Sequence, residues 1–564
     1  MNVPDEGAFR EEALNRGGTA GSDSAPVLSC NGHGGRALFD VLRKEERGRI
    51  MAIKLVMLLV FFGIMLSVGI YCRRHSTDVN GFVLGGRAVG PWLTAFAYGT
   101  SYFSAVIFVG YAGQFGWKYG LSATWVGLGN AFIGSLLAWV VLGRRTRVMT
   151  QQLDSRTMPD FFQKRYGSRA LKIGASAIIF VFLIPYTASL YNGLSRLFGM
   201  AFSIDYTVCI VIMAVLTGVY VIAGGYMATA INDFIQGLIM LGGIVAVIAA
   251  VLNQNGGFMA AYKTMAEVSD PAASTMPGAF VSFFGPDPFN LLCVVILTSL
   301  GTWGLPQMVQ KFYAIKTEKD ISKGTIISTM FAVIVAGGCY FLGGFGRLYS
   351  GSIDIAANGY DSVVPAMLAN LSPILIGVIV ILVLSASMST LSSLVLASSS
   401  TLTLDFLKDN IIKDMDEKKQ VLVMRGLIVV FILISVILAV IQYKQNVTFI
   451  AQLMGVSWGA LAGAFLAPFL YGLYMKRTSV AAVWVSFIFG AGIMILNLFA
   501  RPMFPAWLQS PINCGAFAML AGLVIVPVVS FLTPRPKSAI VDFAFSGYDQ
   551  KVVVSAKESL GKGK

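Results

Sequence analysis

Runs of about 20 apolar residues recur between Met51 and Leu532, and a run of that length is what a helix needs to cross the hydrocarbon core of a bilayer. Inside lipid no water satisfies backbone N–H and C=O groups, so only helices or a closed barrel are stable there. The alternating strands of a barrel, about ten residues each, are not seen. A soluble alternative fails on charge: of 564 residues, 56% are hydrophobic and 12% charged, too few charges to coat several water-facing domains. The chain is expected to be an all-α polytopic membrane protein with about thirteen transmembrane helices.

The net charge of +14 does not point to nucleic acid, because the Lys and Arg residues sit in short clusters between apolar runs rather than along one face. The only histidines, His33 and His75, lie outside those runs, which excludes an intramembrane histidine-ligated haem or metal centre. Six cysteines form no CxxC pair and read as small hydrophobes. Residues 1–50 are polar and glycine-rich with no signal-peptide h-region, so disorder is expected there. Met51 opens the first apolar run directly, which raises the expectation that translation starts at Met51.

Apolar runs are read at about 51–71, 92–113, 121–142, 173–192, 206–223 and 228–252, then, after a long polar loop, at about 289–310, 324–345, 373–404, 424–443, 449–475, 480–499 and 512–532. The connection after the third run carries Arg144, Arg145, Arg147, Arg156, Lys164, Arg165, Arg169 and Lys172, the mark of a cytoplasmic loop. Alternate loops agree: Arg73, Arg74 and Arg87, then Lys311, Lys316, Lys319 and Lys323, then Lys408, Lys413, Lys418 and Lys419, then Lys476 and Arg477. The N-terminus is thus expected outside, the C-terminus in the cytoplasm, and the protein in the plasma (inner) membrane as a multi-pass chain. Setting aside the first run and the last two leaves two sets of five, 92–252 and 289–475, of opposite orientation, which is the pattern of an inverted repeat. The domain reading is then a tail (1–50), an extra helix (51–71), two repeats, two further helices (480–532) and a cytoplasmic tail (533–564). Gly99, Gly110 and Gly113 in the first helix of one set, and Gly301, Gly304 and Pro306 in the first of the other, are candidate midplane breaks; close helix packing is the other use of such glycines.

Asp233 is the only acid placed inside a run. An intramembrane carboxylate defaults to function, although a position in the first turns of a helix would also make it an N-cap. The ninth run, LSASMSTLSSLVLASSSTLTLDF, repeats hydroxyls at Ser385, Ser389, Ser392, Ser393 and Ser400 near helical spacing. Oxygen ligands suit a small hard cation, particularly beside carbonyls freed by a broken helix; small residues that let helices approach are the alternative. Thr100 and Phe103 flank a candidate break in GTSYFSAVIFVGYAG.

Residues from about Gly81 to Arg477 resemble the sodium:solute symporter family, through GFVLGGRAVG, TMPDFFQKRYGS, GGYMATAINDFIQG, GLPQMVQKFYAIKTEKDISKG, SMSTLSS and TLTLDF, in order and at family spacing. The resemblance implies a leucine-transporter-like 5+5 inverted repeat. It implies a sodium site formed by the backbone carbonyls of Thr100, Phe103 and Ala386 with the hydroxyls of Ser389 and Thr390. A second sodium, held in some members by a sixth-helix aspartate, would fall to Asp233, Ser389, Ser392 and Ser393. Proline symporters carry an aspartate where this chain has Tyr102, so the resemblance leans toward the pantothenate and monocarboxylate members and a small organic anion. Candidate solute-lining residues are Ser104, Ile107, Trp125, Trp303, Gln307 and Gln452; ordinary core or interface packing is the alternative for each.

The expected function is inward sodium-coupled symport of a small hydrophilic solute by alternating access. No covalent chemistry is expected: sodium is the coupling ion, there is no cofactor, and the partners are solute, sodium and the lipid bilayer, with no nucleic acid and no obligate protein partner. A sodium/amino-acid symporter of the proline type is the alternative. A transporter-like membrane sensor is the alternative from another class, disfavoured because about thirty residues after the last run are too few for a kinase domain. A channel lacks charged pore rings, and proton coupling through Asp233 stays open.

Overall fold

The computed structural model describes residues 33–73, 78–202, 205–412, 415–445 and 450–548. The chain divides into two compact units, residues 1–52 and 53–564. In the first, residues from His33 onward are helical, so the expectation of disorder is corrected for residues 33–50; residues 1–32 lie outside those described.

The bundle is built from α1 (His33–Cys72), α2 (Pro91–Tyr102), α3 (106–119), α4 (124–152), α5 (Met158–Tyr166), α6 (Arg169–Phe202), α7 (Tyr206–Gln254), α8 (Pro288–Gly304), α9 (Pro306–Ala314), α10 (318–343), α11 (Pro373–Thr401), α12 (Glu417–Gln445), α13 (Ile450–Tyr474), α14 (Val480–Phe499), α15 (Pro511–Leu532) and α16 (Ser538–Ser546). Proline opens α2, α8, α9, α11 and α15 within the first two helical positions, where its missing N–H costs nothing. Among the described residues ten helices are long and apolar enough to cross a membrane, or eleven when α8 and α9 count as one bent span. Length alone therefore does not reach the expected thirteen. Two of the ten hold internal breaks: the stretch Val106–Gln152 turns at Gly120 (φ 63°), and α7 turns at Gly225 (φ 56°). At Gly225 a Cβ would stand 2.8 Å from the Phe82 ring and 2.9 Å from the Phe82 carbonyl oxygen, so left-handed dihedrals and close approach both demand glycine.

Helix α11 packs against α7, α6 and α2; α13 packs against α15, α14, α6 and α8. Both breaks expected from the repeat are present. Helix α2 ends at Tyr102 and Phe103 is extended (φ −85°, ψ 115°); α8 ends at Gly304, Leu305 is extended (φ −81°, ψ 124°), and α9 leaves at 47°. The breaks thus fall in the first helix of each expected five-helix set. The glycines singled out beside them act by packing, since a Cβ on Gly99 would meet Phe331 at 2.4 Å and one on Gly301 would meet Trp458 at 2.8 Å. The two broken segments are clasped at one end, where the Val89 N–H donates to the Ala314 carbonyl (3.2 Å) and the Lys316 N–H to the Val89 carbonyl (3.0 Å).

Several basic residues read as loop charges are buried in that same end of the bundle. Arg147 Nε donates to the Ile315 carbonyl (2.6 Å), Arg87 to the Ser155 carbonyl (2.6 Å) and Arg165 Nε to the Gly472 carbonyl (2.8 Å), satisfying oxygens left free at or near helix ends. Asp405, just past the C-terminal end of the ninth run, is also buried; it accepts from Thr157 Oγ1 at 2.6 Å and pairs with Lys172 at 3.4 Å. Asp233 is therefore not the only acid inside the helical bundle. Helix α16 closes this end: Tyr548 OH donates to the Arg145 carbonyl (3.1 Å), and the Arg145 guanidinium lies over the rings of Tyr474 (4.1 Å) and Tyr548 (4.8 Å).

A candidate cation and solute site at the helix breaks

Helix α2 ends three residues after its Gly99, so its last carbonyls have no partner farther along the chain. Two of them, on Thr100 and Phe103, turn toward α11. Ser389 Oγ lies 3.0 Å from the Thr100 oxygen and 3.0 Å from the Ala386 oxygen; Thr390 Oγ1 lies 3.2, 3.3 and 3.1 Å from the oxygens of Thr100, Phe103 and Ala386. Every one of these residues is buried. The five oxygens implied by the family resemblance thus converge, three carbonyls and two hydroxyls with no carboxylate among them. In this arrangement the hydroxyls donate to the carbonyls; rotating their O–H bonds outward turns all five oxygens toward one small hard cation.

One helical turn farther along α11 the chemistry changes. Asp233 lies eight residues past the Gly225 break, fully buried in the middle of α7, which removes the N-cap reading. Its Oδ2 is 3.6 Å from Lys311 Nζ on α9. Lys311, read from the sequence as a loop charge, is 2% exposed and donates to Ser393 Oγ at 3.0 Å, and that oxygen stands 2.9 Å from Ser101 Oγ. Ser392 Oγ donates instead to the Ser389 carbonyl (2.9 Å). Of the residues expected at a second sodium, Asp233 and Ser393 are brought together, but around a lysine ammonium.

Just past the first break, Ser104 caps the turn where α3 begins, its carbonyl accepting from the N–H groups of Ile107 and Phe108 (3.0 Å each). The first six residues of α3 form a π-helix, a form frequent at functional sites. Ser104 Oγ, Tyr186 OH on α6 and the Trp458 indole N–H on α13 are buried, and none has a well-formed hydrogen bond. Tyr186 sits beside both others, its ring edge-on to Trp458 at 5.9 Å. Buried polar groups are normally well satisfied, so three that have only one another to turn to make this a candidate place for a polar ligand. Both polar atoms of the Gln307 side chain, at the second break, are likewise buried and unpartnered. Sequence reasoning named Ser104 and Gln307 but missed Tyr186 and Trp458, which carry no local signal.

A model of the sodium:solute symporter family matches residues 82–490. The chain belongs to that family. It is similar to the osmoregulated proline transporter OpuE of Bacillus subtilis (strain 168), with 28% identity over 494 residues, 87% of this chain and 97% of that one. It is also similar to the sodium/proline symporter of Staphylococcus aureus (strain JH9), with 29% identity over 493 residues, 85% of this chain and 92% of that one. Among solved structures, a Na+-coupled sialic acid symporter in a substrate-bound outward-open state superposes with a TM-score of 0.67 at 17% identity, covering 86% of this chain and 99% of that one, which speaks to the fold. The Bacillus subtilis and Staphylococcus aureus relatives are named for proline, so the leaning toward pantothenate and monocarboxylate members finds no support in them.

The other lining residues expected of this symporter take different places. Trp125 is 37% exposed and lines an apolar groove with Phe132, Phe283 and Leu292; its indole donates to the Phe283 carbonyl (2.9 Å), so it faces away from the breaks. The Trp303 indole is committed to the Ile133 carbonyl (3.0 Å). Ile107 is fully buried in the π-helical turn and offers no polar atom. Gln452 lines a polar cavity of about 710 Å³ with Lys118, Asp287, Arg347, Tyr360 and Asn513.

In that cavity Arg347 Nη1 donates to Asp270 Oδ2 at 2.9 Å, tying the loop after α7 to the turn after α10. The hydrogen bond and charge of Arg347, helped by the N–H groups of Ala272 and Ala273, hold the Asp270 carboxyl below its ordinary range. A carboxyl whose folded-state pKa is depressed stabilises the fold above its unfolded pKa, about 3.9, and loses that contribution as pH falls through the folded value. Asp270→Asn is therefore expected to lower the thermal midpoint by the same amount at pH 5 and pH 8, with the gap to wild type closing only below about pH 4. Melting curves at three pH values check this.

Proposed function

We propose that this chain is a sodium-coupled symporter of proline or a closely similar amino acid, and that it crosses the membrane about thirteen times with its N-terminus outside and the end carrying buried Arg87, Arg147 and Arg165 in the cytoplasm. The observation that carries the coupling is the five-oxygen cage of Thr100, Phe103, Ala386, Ser389 and Thr390, which joins a broken helix to α11. A cation there replaces hydroxyl-to-carbonyl hydrogen bonds between α2 and α11 with ion–oxygen contacts to both, and so favours one arrangement of α2 relative to α11. Because ion and solute then select the same arrangement, each raises the other's affinity by the same factor. The names of the relatives support the amino acid. Its carboxylate suits the N-terminal end of α3, where helix dipole and free N–H groups favour an anion, and its amine suits the carbonyls freed at the break. No acid stands in α2, so dipoles and hydroxyls, not a salt bridge, would hold that amine.

Uptake of labelled proline into proteoliposomes tests this. Accumulation is expected only with an inward sodium gradient, and unlabelled pantothenate or short monocarboxylates are expected not to compete. Accumulation driven by a proton gradient alone would overturn sodium coupling; sodium-driven uptake of a monocarboxylate but not proline would overturn the solute assignment. Tyr186→Phe should raise the KM for solute about tenfold, the worth of one hydrogen bond of about 1.4 kcal/mol, with the sodium half-saturation unchanged. A KM within twofold of wild type would remove Tyr186 from the site.

A further inference from the structure

We propose that the Lys311 ammonium takes the place of a second coupling sodium, so that the chain binds one sodium per transport cycle. The inference rests on the sodium-coupled reading above and deepens it by setting the ion count. Asp233 is fully buried, and neither of its oxygens accepts a hydrogen bond. The charged group that faces it is Lys311, 3.6 Å away. Lys311 Nζ is held in turn by Ser393 Oγ on α11 at 3.0 Å and by the face of the Tyr226 ring on α7 at 5.1 Å. Through the contact between Ser393 and Ser101 (2.9 Å) it also reaches α2. The ammonium therefore touches or reaches the same two elements that the five-oxygen cage joins, one turn along α11, and adds α7 through its pair with Asp233.

A sodium ion at Asp233 and Ser393 would have to share one carboxylate and one hydroxyl with a lysine ammonium already there. Two like charges about 4 Å apart in a poorly screened interior repel strongly, and a single carboxylate neutralises only one of them. The lysine is also covalently tethered to α9, the helix that follows the second break. A tethered cation does not dissociate into the cytoplasm, so it supplies the structural bridge without adding a transported charge.

The test needs no solute. Binding of radioactive sodium to the purified full-length chain, by scintillation proximity at saturating sodium, should give one ion per protein for the wild type. Lys311→Met, which frees Asp233 and Ser393, should give two, and the double variant Lys311→Met/Asp233→Asn should return to one. If Lys311→Met does not fold, Lys311→Gln, neutral and able to hydrogen bond both partners, is measured in its place. A wild-type count of two overturns the proposal whatever the variants do. A count of one in the wild type and in the folded Lys311 variant overturns it as well. A count of zero overturns it together with sodium coupling, whereas failure of proline uptake alone would leave the sodium count intact and locate the error in the solute.

Discussion

Ser389→Ala and Thr390→Val should each raise the sodium concentration for half-maximal uptake at least tenfold, and the double variant should abolish sodium-dependent uptake. Each hydroxyl supplies one of five oxygens in a cage without a carboxylate, so no formal charge remains to compensate a lost ligand. An interaction with a charged group in a dry site is worth about 1.5–3 kcal/mol, which is roughly ten- to a hundred-and-fifty-fold in affinity. The loss should be larger for Thr390, whose Oγ1 contacts all three carbonyls, than for Ser389, whose Oγ contacts two. Both side chains already bond within their own helix, so the fold should survive, and size-exclusion profiles of the variants should match wild type. Sodium activation curves at fixed solute check the prediction; unchanged half-saturation in Thr390→Val would remove the cage from the coupling mechanism.

Gly116→Ala should prevent stable folding or lower the thermal midpoint more than any other single-methyl change. A Cβ at Gly116 would lie 1.9 Å from the Gly343 carbonyl oxygen and 2.1 Å from its carbon; one at Gly343 would lie 2.1 Å from the Ala112 oxygen. Helices α3 and α10 thus cross backbone on backbone, and no rotamer change relieves the clash. Overpacking commonly costs 1–3 kcal/mol where side chains yield; here backbone must move, so a cost of about 3 kcal/mol or more is expected. Because α3 is the second half of the broken span, a shift there also displaces Ser104. Gly242→Ala is the control: a Cβ at Gly242 meets nothing within 4 Å, and alanine is the better helix former. Thermal midpoints of the two variants in detergent should differ in sign relative to wild type.

The five residues of the cage were legible through the resemblance to the family; local pattern by itself offered only Ser389 among the hydroxyls at helical spacing in α11 and a candidate break flanked by Thr100 and Phe103. The apolar runs were legible because the bilayer imposes a length on each helix that composition reveals directly. Lys311 was not. It follows an apolar run and precedes Lys316 and Lys319, so linear order files it with the loop charges; only the 47° turn at Leu305 carries α9 back into the bundle toward Asp233. Trp125 failed in the opposite direction, because an aromatic in an apolar run reads the same whether it faces a neighbouring helix or lipid. Tyr186 and Trp458 come from helices more than 270 residues apart in the chain, a separation over which periodicity says nothing.

What the sequence determined by itself is therefore what one dimension and one solvent can impose: apolar helices, candidate breaks in two of them, and which residue types could hold a cation there. What only the tertiary structure decided is which buried charges meet. Hydrophobic patterning is a non-directional demand that many packings satisfy equally, whereas the pairing of Asp233 with Lys311, and of Ser104 with Tyr186 and Trp458, depends on the crossing of helices whose contacts no local rule encodes.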